Sequence, residues 1–200
     1  SMLYTLGHGD TKHVILIPGT VTECFEFGWR SLDIAEKYQT PIFVLSDLDL
    51  GMNTWVTKRF EYPNQPIERG KIIWEEKLEK FKDWGRYKDL DGDGIPYRTV
   101  IGNKSEKAAY FTRGTGHDEY GNYSEDPKNW SDMLNRIGHK LDGVVKDLPG
   151  PIIRRAKADA DIGIIGMGST HDAMVEAQDL LAEMGIQADY MRVRALPANT

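Results

Sequence analysis

The sequence has very little cysteine, since Cys24 is the only one in 200 residues. A single thiol cannot close an internal disulfide, and an iron–sulfur cluster typically takes four cysteine ligands. Because Cys24 falls beside Val21 and Phe25 on the apolar face of a predicted helix, we interpret it as a small core residue rather than a nucleophile. Any iron–sulfur cluster that works with this chain must therefore lie on another polypeptide.

Long apolar runs and an excess of basic residues are also missing. No run approaches the roughly 20 apolar residues that a membrane helix needs. The opening SMLYTLGHGD lacks the basic and apolar regions of a secretory signal, so we expect a cytoplasmic protein. The 31 acidic residues outnumber the 25 basic ones, and the formal charge of -6 argues against nucleic acid or an anionic membrane as the main partner.

The composition that remains is that of an ordinary globular chain. Hydrophobic residues make up 40% of the sequence and charged residues 28%, which is typical of a soluble globular domain. The length is enough for one main domain and part of a second.

Residues near the start predict one β-α-β unit. Val14 to Ile17 and Pro41 to Asp47 are short apolar runs of the kind that form buried parallel strands. Between them Thr20 stands three residues before Glu23, the capping-box spacing, and a helix of about five turns is predicted to follow. Its predicted buried face comprises Val21, Cys24, Phe25, Gly28, Trp29, Leu32 and Ala35.

The end of the second predicted strand is a candidate binding edge. Connections between parallel strands are right-handed, and in open α/β sheets ligands collect beyond the carboxyl ends of the strands. Ser46 and Asp47 stand at such an end.

The middle of the chain is irregular. From Leu48 to about Ser105 the Pro and Gly punctuation predicts a long loop that acts as a lid or covers a partner. Trp74 to Phe81 predicts a short helix, and Tyr110 with Phe111 predicts a short strand. Asp126 then caps a predicted helix that has Pro127 at its first position. The apolar face of that helix comprises Trp130, Met133, Leu134, Ile137, Leu141, Val144, Val145 and Leu148.

A second α/β unit follows a predicted linker at Leu148 to Ile152. Asp161 to Thr170 predicts a strand and a Gly-rich turn, HDAMVEAQDLLAEMG predicts a helix, and ADYMRVRAL predicts another strand. A lone β-α-β unit cannot bury its own sheet, so the second unit is expected to be incomplete or to lean on a partner.

The Gly166-Met167-Gly168-Ser169-Thr170-His171 turn begins like a dinucleotide-binding G-x-G-x-x-G. His171 stands where the third Gly allows close packing of helix on strand, and Asp189 precedes the second strand instead of ending it. A dehydrogenase would bind NAD at Gly166 and Gly168. The tight-turn interpretation is favoured over this one.

The run DLDGDG, with Asp89, Asp91, Asp93 and Gly94, matches the first half of a calcium loop. Val100 falls at the position where an EF-hand places its bidentate Glu, so the strongest ligand is lost. A magnesium or weak calcium site remains an alternative to a turn whose Asp side chains bond their own backbone.

Two further segments carry candidate functional residues. RGTGHDE, Arg113 to Glu119, places two glycines and His117 on a loop, where backbone amides can approach an anion and a His can exchange protons near neutral pH. Alternatively, Asp118 and Glu119 pair with Arg113 on the surface. Arg98 follows Pro96 and could clamp a carboxylate with two hydrogen bonds, or else serve a structural role beside the acidic turn.

Four segments in succession resemble the alpha subunit of thiamine-diphosphate-dependent 2-oxoacid:ferredoxin oxidoreductases. They are HGD (His8 to Asp10), ILIPGTVTECFEFGWRSLDIAEKYQTPIFVLSDLDLGMN, DGDGIPYRT and YFTRGTGHDEYGNYSEDP. The resemblance covers nearly the whole chain from Leu3 onward but only part of that subunit.

This resemblance implies a fold and domain bounds. The expected fold is α/β, with the three-layer parallel-sheet pyrimidine-binding fold of thiamine enzymes followed by the start of a transketolase C-terminal-like α/β domain. Residues 1–148 would be the C-terminal part of the first domain, with long covering loops. Residues 149–158 would be a linker, and 159–200 the first β-α-β unit of the second domain.

The resemblance also implies a reaction, oxidative decarboxylation of a 2-oxoacid to an acyl-CoA with electrons passing to ferredoxin. Thiamine diphosphate with magnesium would be shared with a beta subunit, and iron–sulfur clusters would lie on other polypeptides only. Arg98, Thr115, Gly116 and His117 become candidates for the substrate or CoA side of the site. No catalytic residue and no metal ligand is assigned.

The chain departs from the family pattern in one important respect. It has no counterpart of the carboxylate that activates the aminopyrimidine ring, or of the Tyr-Pro-Ile-Thr-Pro type motif near the substrate. We therefore expect an internal fragment that turns nothing over alone. A calcium- or magnesium-binding interaction module that uses DLDGDG and a purely structural subunit remain the alternatives.

Overall fold

The computed structural model describes residues 2–7 and 12–197, so His8 to Asp10 of the resemblance lie outside the described residues. The strands and helices in chain order are β1 (Val14–Leu16), α1 (Val21–Tyr38), β2 (Ile42–Val44), α2 (Leu48–Met52), α3 (Glu75–Leu78), α4 (Pro127–Val144), β3 (Ile152–Arg154), β4 (Ile162–Met167), α5 (His171–Glu183), β5 (Ala188–Val193) and β6 (Ala195–Leu196). Short 3-10 helices occur at Met2–Thr5, Glu106–Ala108, Val145–Asp147 and Gly168–Thr170. None of the helices in these ranges is long and apolar enough to cross a membrane.

The first sheet has the strand order β2-β1-β6. Strands β1 and β2 are parallel and α1 connects them, which confirms the predicted β-α-β unit. The Thr20 hydroxyl accepts a hydrogen bond from the Glu23 amide and so satisfies one free donor of the first turn, as the capping spacing predicts. All three residues of β1 are buried, as expected for a central strand.

The predicted buried face of α1 is wrong. The buried residues of this helix are Glu23, Phe27, Ile34 and Tyr38. Gly28 is exposed and 66% of Leu32 is accessible to solvent. The helix is rotated relative to the prediction because its inner face packs on β1 and α4, whereas Phe25 is covered by the long loop through stacking on Phe60 at 4.7 Å between ring centroids.

Cys24 is half-buried rather than fully buried, because it lies beside the inner face of α1 and not on it. Burial raises the pKa of its thiol, and the nearby carboxylates of Glu23 and Asp47 raise it further. Thiolate is the reactive form, so this environment makes Cys24 a poor nucleophile, in line with its interpretation as a packing residue.

The middle of the chain contains little regular structure. The short helix expected within Trp74 to Phe81 is confirmed as the single turn α3. The strand expected at Tyr110 and Phe111 is wrong, since both residues are in irregular backbone and 78% of Phe111 is exposed. A strand needs a partner edge, and no neighbouring strand among the described residues pairs with this segment.

Helix α4 begins as predicted. Asp126 accepts a hydrogen bond from the Lys128 amide at 2.8 Å, and Pro127 occupies the first turn. The end of α4 reaches the main core through Val144, and Leu148 follows it there. That core also contains Val14, Leu16, Phe27, Ile34, Tyr38, Ile95 and Ala195.

The second sheet has the order β3-β5-β4. Strands β4 and β5 are parallel and are connected through α5, which confirms the second predicted β-α-β unit. Residues 152–154, which lie inside the linker that the resemblance implies at 149–158, form β3 and pair antiparallel with β5. Strand β6 likewise pairs antiparallel with β1, so each sheet is mixed instead of purely parallel as predicted.

The two sheets are joined by buried polar contacts. Glu23 on α1 accepts hydrogen bonds from Arg192 at 2.6 Å, from Arg194 at 2.8 Å and from the Gly19 amide at 2.8 Å. Only 1% of Arg192 is exposed. One carboxylate therefore connects the first β-α turn to the strand that ends the second unit.

Candidate functional site

A cavity of about 320 Å³ lies against one face of α4. Helix α4 supplies the apolar residues Trp130, Met133, Leu134 and Ile137 and also two polar ones, and the rest of the lining comes from the segments next to α1 and β1 and from loops. The polar and remaining lining residues are Lys12, His13, Gln39, Thr40, Pro41, Arg86, Tyr87, Pro96, Thr115, His117, Arg136 and Lys140.

The cavity is strongly cationic. Lys12, Arg86, Arg136 and Lys140 line it, and within residues 2–7 and 12–197 no Asp or Glu contributes to its wall. The chain as a whole carries a formal charge of -6, so this is a local reversal of sign. Like charges held close together in a partly buried space repel, and they favour an anion between them.

Lys140 is the most buried of these cations, with 8% of the residue exposed. Burial lowers the pKa of its ammonium group to about 8, with Arg136 and Arg86 contributing through their charges. Its Nζ donates to the Gln39 carbonyl oxygen at 3.3 Å, and among the described residues no carboxylate forms an ion pair with it.

Arg136 precedes Lys140 by one helical turn, which puts both side chains on one face of α4. Its Nη1 donates to the Gly94 carbonyl oxygen at 2.8 Å, and burial lowers the pKa of the guanidinium. Arg86 comes from a loop and stacks over the Tyr87 ring at 5.0 Å. Within the described ranges, Nε of Arg136 and Nη1 of Arg86 are buried without a hydrogen-bond partner.

His117 reaches the same cavity from the loop before α4. Its Nδ1 donates to the Asp118 carbonyl oxygen at 2.9 Å, which fixes the tautomer and leaves Nε2 as the free nitrogen. The ring lies 4.0 Å from the Tyr87 ring, measured between centroids. The carbonyl oxygen of His117 accepts from Asn129 of α4 at 2.8 Å, so the loop is tied to the helix that supplies the apolar residues of the cavity.

Thr115 and Gly116 complete the predicted loop. Thr115 lines the cationic cavity and, with Gly116, also a smaller cavity of about 290 Å³ beside Tyr123 and Trp130. A β-carbon at Gly116 would overlap the Ser124 carbonyl oxygen, so the close approach of the two loop arms requires glycine here.

Arg98 is not among the residues that line this cavity. Its guanidinium forms an ion pair with Glu36 of α1 and donates to the Arg69 carbonyl oxygen at 3.1 Å. The structure thus brings Thr115, Gly116 and His117 together and places Arg98 in an intramolecular carboxylate clamp.

The two acidic residues of the loop have partners other than the predicted Arg113. Asp118 accepts from the amides of Tyr120 and Asn122 at 2.9 Å each, and Glu119 pairs with Lys88 at 3.0 Å. The alternative in which these acids pair with Arg113 is therefore wrong, because Asp118 is used by its own turn and Glu119 by Lys88.

The DLDGDG turn is closed by its own backbone and by one lysine. Asp89 accepts from the amides of Gly92 and Gly94 at 2.9 and 2.8 Å. Asp91 and Asp93 both accept from Lys71 Nζ at 2.7 Å. These carboxylates point to a cationic side chain and to amides, which is the arrangement of the structural turn and not of a cation cage.

The Gly-rich turn after β4 faces a carboxylate. Asp47 accepts from the Ser169 amide at 2.7 Å and from the Leu50 amide at 2.9 Å. Burial alone would raise the pKa of Asp47, but these hydrogen bonds lower it below its usual value. An ionised carboxylate thus occupies the position where a dinucleotide phosphate would bind, which favours the tight-turn interpretation.

The sequence interpretation missed all four cations of the cavity, Lys12, Arg86, Arg136 and Lys140. A signal for two of them was present, because Arg136 and Lys140 stand four residues apart, and Lys140 adjoins the apolar stripe of the predicted helix. Nothing in the local sequence indicates that Arg86, on a loop some fifty residues earlier, joins them.

Comparison with known proteins places the chain beside one group of enzymes. It is 28% identical over 194 residues to "2-oxoacid:ferredoxin oxidoreductase 2, subunit alpha" of Aeropyrum pernix, covering 95% of this chain and 29% of that relative. It is 27% identical over 202 residues to "2-oxoglutarate synthase subunit KorA" of Methanothermobacter marburgensis, covering 93% of this chain and 47% of the relative. No family model matches the chain.

A solved structure gives the same result. The fold superposes with a TM-score of 0.83 and 27% identity on the 2-oxoglutarate:ferredoxin oxidoreductase of Magnetococcus marinus, which was solved with 2-oxoglutarate, coenzyme A and succinyl-CoA bound. The match covers 98% of this chain and 33% of that one. The chain therefore spans about a third to a half of the length of these relatives.

Proposed function

We propose that this chain, which resembles part of the alpha subunits of 2-oxoacid:ferredoxin oxidoreductases over nearly its whole length, serves as that part of such an enzyme. The observation that carries the proposal is the continuous match over 98% of the chain at a TM-score of 0.83 and 27% identity. Curated relatives at 28% identity over 95% of the chain support the same assignment.

The proposed reaction is oxidative decarboxylation. A 2-oxoacid anion and the thiol of CoA give an acyl-CoA thioester, CO2, two electrons and one proton, so that atoms and charge balance. The bond between the carboxylate and the carbonyl carbon breaks, and a carbon–sulfur bond forms. The two electrons leave one at a time towards ferredoxin, which is the partner that we propose for the whole complex.

The residues of this chain do not by themselves fit the cofactors of that reaction. One cysteine cannot hold an iron–sulfur cluster. Magnesium bound to a diphosphate needs oxygen ligands, and the described residues contain no group of three His, Cys, Asp or Glu side chains that could hold a metal ion. We therefore propose that the clusters lie on other polypeptides and that thiamine diphosphate is shared with a beta subunit.

The contribution of this chain is proposed to be a substrate- or CoA-facing surface built by Thr115, Gly116 and His117. The fixed tautomer of His117, with Nε2 free, suits a hydrogen bond to a ligand oxygen. Arg98 pairs with Glu36 in the folded chain. We include it in the proposed surface only on the condition that a substrate carboxylate displaces Glu36 from the Arg98 guanidinium.

The finer fold assignment is part of the proposal. Residues 1–148 would be the C-terminal part of a pyrimidine-binding domain, 149–158 a linker, and 159–200 the first β-α-β unit of a transketolase C-terminal-like domain. The parallel β1-α1-β2 and β4-α5-β5 units support this division.

The test is reconstitution with the polypeptides encoded beside it. We expect the chain to co-purify with a Cys-rich partner and a thiamine-dependent subunit, and the complex to oxidise a 2-oxoacid in a CoA-dependent reaction with a one-electron acceptor. The free chain should show no turnover. An assembled complex without 2-oxoacid oxidation under these conditions contradicts the proposal.

One variant separates a contributing subunit from a purely structural one. His117→Gln keeps a hydrogen-bonding side chain of similar size but removes the ring held by Tyr87. A contributing subunit loses activity without losing assembly, whereas a structural subunit keeps both. Lys128→Gln, at an exposed position of α4, is the matched control and should leave activity and assembly unchanged.

A further inference from the structure

We propose that the cationic cavity lined by Arg86, Arg136 and Lys140 is a binding site for a small polyanion that carries phosphate or carboxylate groups. This inference deepens the proposed function, because Thr115 and His117 line the same cavity, and it rests on that function for the identity of the physiological ligand. None of these three residues was indicated by the resemblance, and binding is measurable without turnover.

The charges converge from separate parts of the chain. Arg136 and Lys140 come from successive turns of α4, and Arg86 comes from a loop that also supplies Tyr87 to the wall. Lys12 approaches from the segment before β1. Four cations from three regions of the fold line one cavity, and charged donors from separate elements suit an anion with several oxygens.

The cations have few partners within the protein. Arg136 and Lys140 donate to the carbonyl oxygens of Gly94 and Gln39, which are neutral. Arg86 donates to the Tyr110 hydroxyl at 3.3 Å. Within the described residues, buried donors on Arg86 and Arg136 remain without acceptors, and a buried donor without an acceptor is destabilising.

The nearest carboxylates do not accept hydrogen bonds from these cations. Asp89 acts on Arg136 through its charge, but its two oxygens accept from the amides of Gly92 and Gly94. The other two acids of that turn are held by Lys71. The oxygens of the acidic turn are thus engaged within the turn and by Lys71, and among the described residues no carboxylate forms an ion pair with Arg86, Arg136 or Lys140.

The cavity also limits the size of the ligand. A volume of about 320 Å³ is at the small end of the range for organic ligands. Trp130, Met133 and Ile137 add apolar surface to the same cavity, so a ligand with a compact carbon part and a charged end fits better than a bare monovalent ion. Binding of such an anion would also raise the depressed pKa of Lys140.

The test is titration calorimetry on the folded full chain at pH 7 and 0.15 M salt. Pyrophosphate and 2-oxoglutarate are the two probes, because they present the phosphate and the dicarboxylate chemistry separately. We expect one-to-one binding of at least one probe with a dissociation constant below about 1 mM. Tighter binding of pyrophosphate identifies a phosphate site, and tighter binding of 2-oxoglutarate identifies a carboxylate site.

Variants make the assignment specific. Arg136→Gln and Lys140→Gln should each weaken binding of the preferred probe at least 10-fold, and Lys128→Gln on the same helix, with the same change of net charge, should change it less than 2-fold. Arg86→Gln, on the loop, gives a third variant that does not alter α4, and circular dichroism checks that each variant is folded. Absence of binding by both probes, or equal weakening by Lys128→Gln, overturns the proposal.

This experiment is independent of the proposed reaction. A chain that binds pyrophosphate through these residues but forms no active complex supports the anion site and contradicts the oxidoreductase proposal. An active complex whose chain binds neither probe supports the oxidoreductase proposal and contradicts the anion site.

Discussion

At the residue scale, the fold disfavours the charged form of Lys140, which is nevertheless the form present at pH 7. Its pKa is about 8 in the folded protein against 10.5 for an ordinary lysine, chiefly because of burial. At pH 7 the ammonium is charged in both states, and the difference of pKa corresponds to a destabilisation of about 3 kcal/mol. A residue retained at such a cost is consistent with a binding role.

Lys140→Met should therefore stabilise the protein. Between pH 8 and 10.5 the unfolded chain binds more protons than the folded one, so stability of the parent rises with pH in that window. Arg86 and Arg136 face the ammonium, and His13 and His117 line the same cavity. We expect a gain of up to about 3 kcal/mol at pH 7 that shrinks below about 1 kcal/mol at pH 10.

Urea unfolding at the two pH values measures this difference. Lys128→Met is the control, because 80% of the Lys128 side chain is exposed and its replacement should change stability by less than about 0.5 kcal/mol at both pH values. An equal gain at pH 7 and pH 10 for Lys140→Met would rule out burial of charge as the cause.

Glu23 is the second residue whose contribution to stability depends on burial. Its carboxylate is shared by Arg192 and Arg194, and Arg192 is almost fully buried. Glu23→Gln leaves two arginines without their counter-charge, and we expect a loss of roughly 3 kcal/mol or more in the free energy of unfolding.

Glu26→Gln, on the same helix, provides the comparison for Glu23→Gln. Glu26 pairs with Arg30 one turn away, and both side chains are partly exposed. Such a pair contributes about 0.3–0.5 kcal/mol. In thermal unfolding, the loss of stability caused by Glu23→Gln should therefore be several times the loss caused by Glu26→Gln. Similar losses for both would mean that the Glu23 ion pair is not shielded from solvent.

At the element scale, two glycines, one in the loop of Thr115 to His117 and one in α4, have opposite requirements. Gly116 stands where a β-carbon would overlap the Ser124 carbonyl oxygen, whereas Gly138 in the interior of α4 has open space around it and is exposed. The first glycine allows two loop arms to meet, and the second only weakens a helix.

Gly138→Ala should raise the free energy of unfolding by about 0.5–1 kcal/mol, because alanine has the higher helix propensity. Gly116→Ala should lower it and should weaken binding of the preferred anion probe, since Thr115 and His117 flank the displaced backbone. Chemical unfolding and calorimetry on both variants test this, and a Gly116→Ala protein with parental stability and binding would show that the loop arms separate freely.

At the scale of the whole molecule, the two sheets are expected to unfold together. Strand β6 follows β5 after one residue and pairs with β1 of the other sheet, and Asp47 accepts from the turn after β4. Contacts of this kind couple the two β-α-β units into one cooperative transition.

The distribution of tryptophan makes this testable. All five Trp residues lie before residue 149, so fluorescence reports the unfolding of the chain before the second β-α-β unit, whereas far-ultraviolet circular dichroism reports the whole chain. In the full chain the two transitions should coincide. A chain that ends at Val193 lacks β6 and should give separate transitions, and coincidence in the shortened chain would mean that other contacts couple the units.

The elements that could be predicted are those written in short stretches of sequence. Strand β1, helix α1 with its Thr20 cap, helix α4 with its Asp126 cap, and the β4-α5-β5 unit follow from apolar periodicity and capping residues within about twenty positions. The loop of Thr115 to His117 was a predicted site, and two of its residues line the cationic cavity.

What the sequence by itself determined is therefore local: the presence and order of the helices and strands, the single cysteine that excludes a cluster, and the resemblance carried by four segments. Tertiary structure alone decided which side of α1 is buried, because that depends on where β1 and α4 lie. It also decided that Lys71 closes the acidic turn twenty residues away and that Arg86 joins Arg136 and Lys140, since charges act through space and not along the chain.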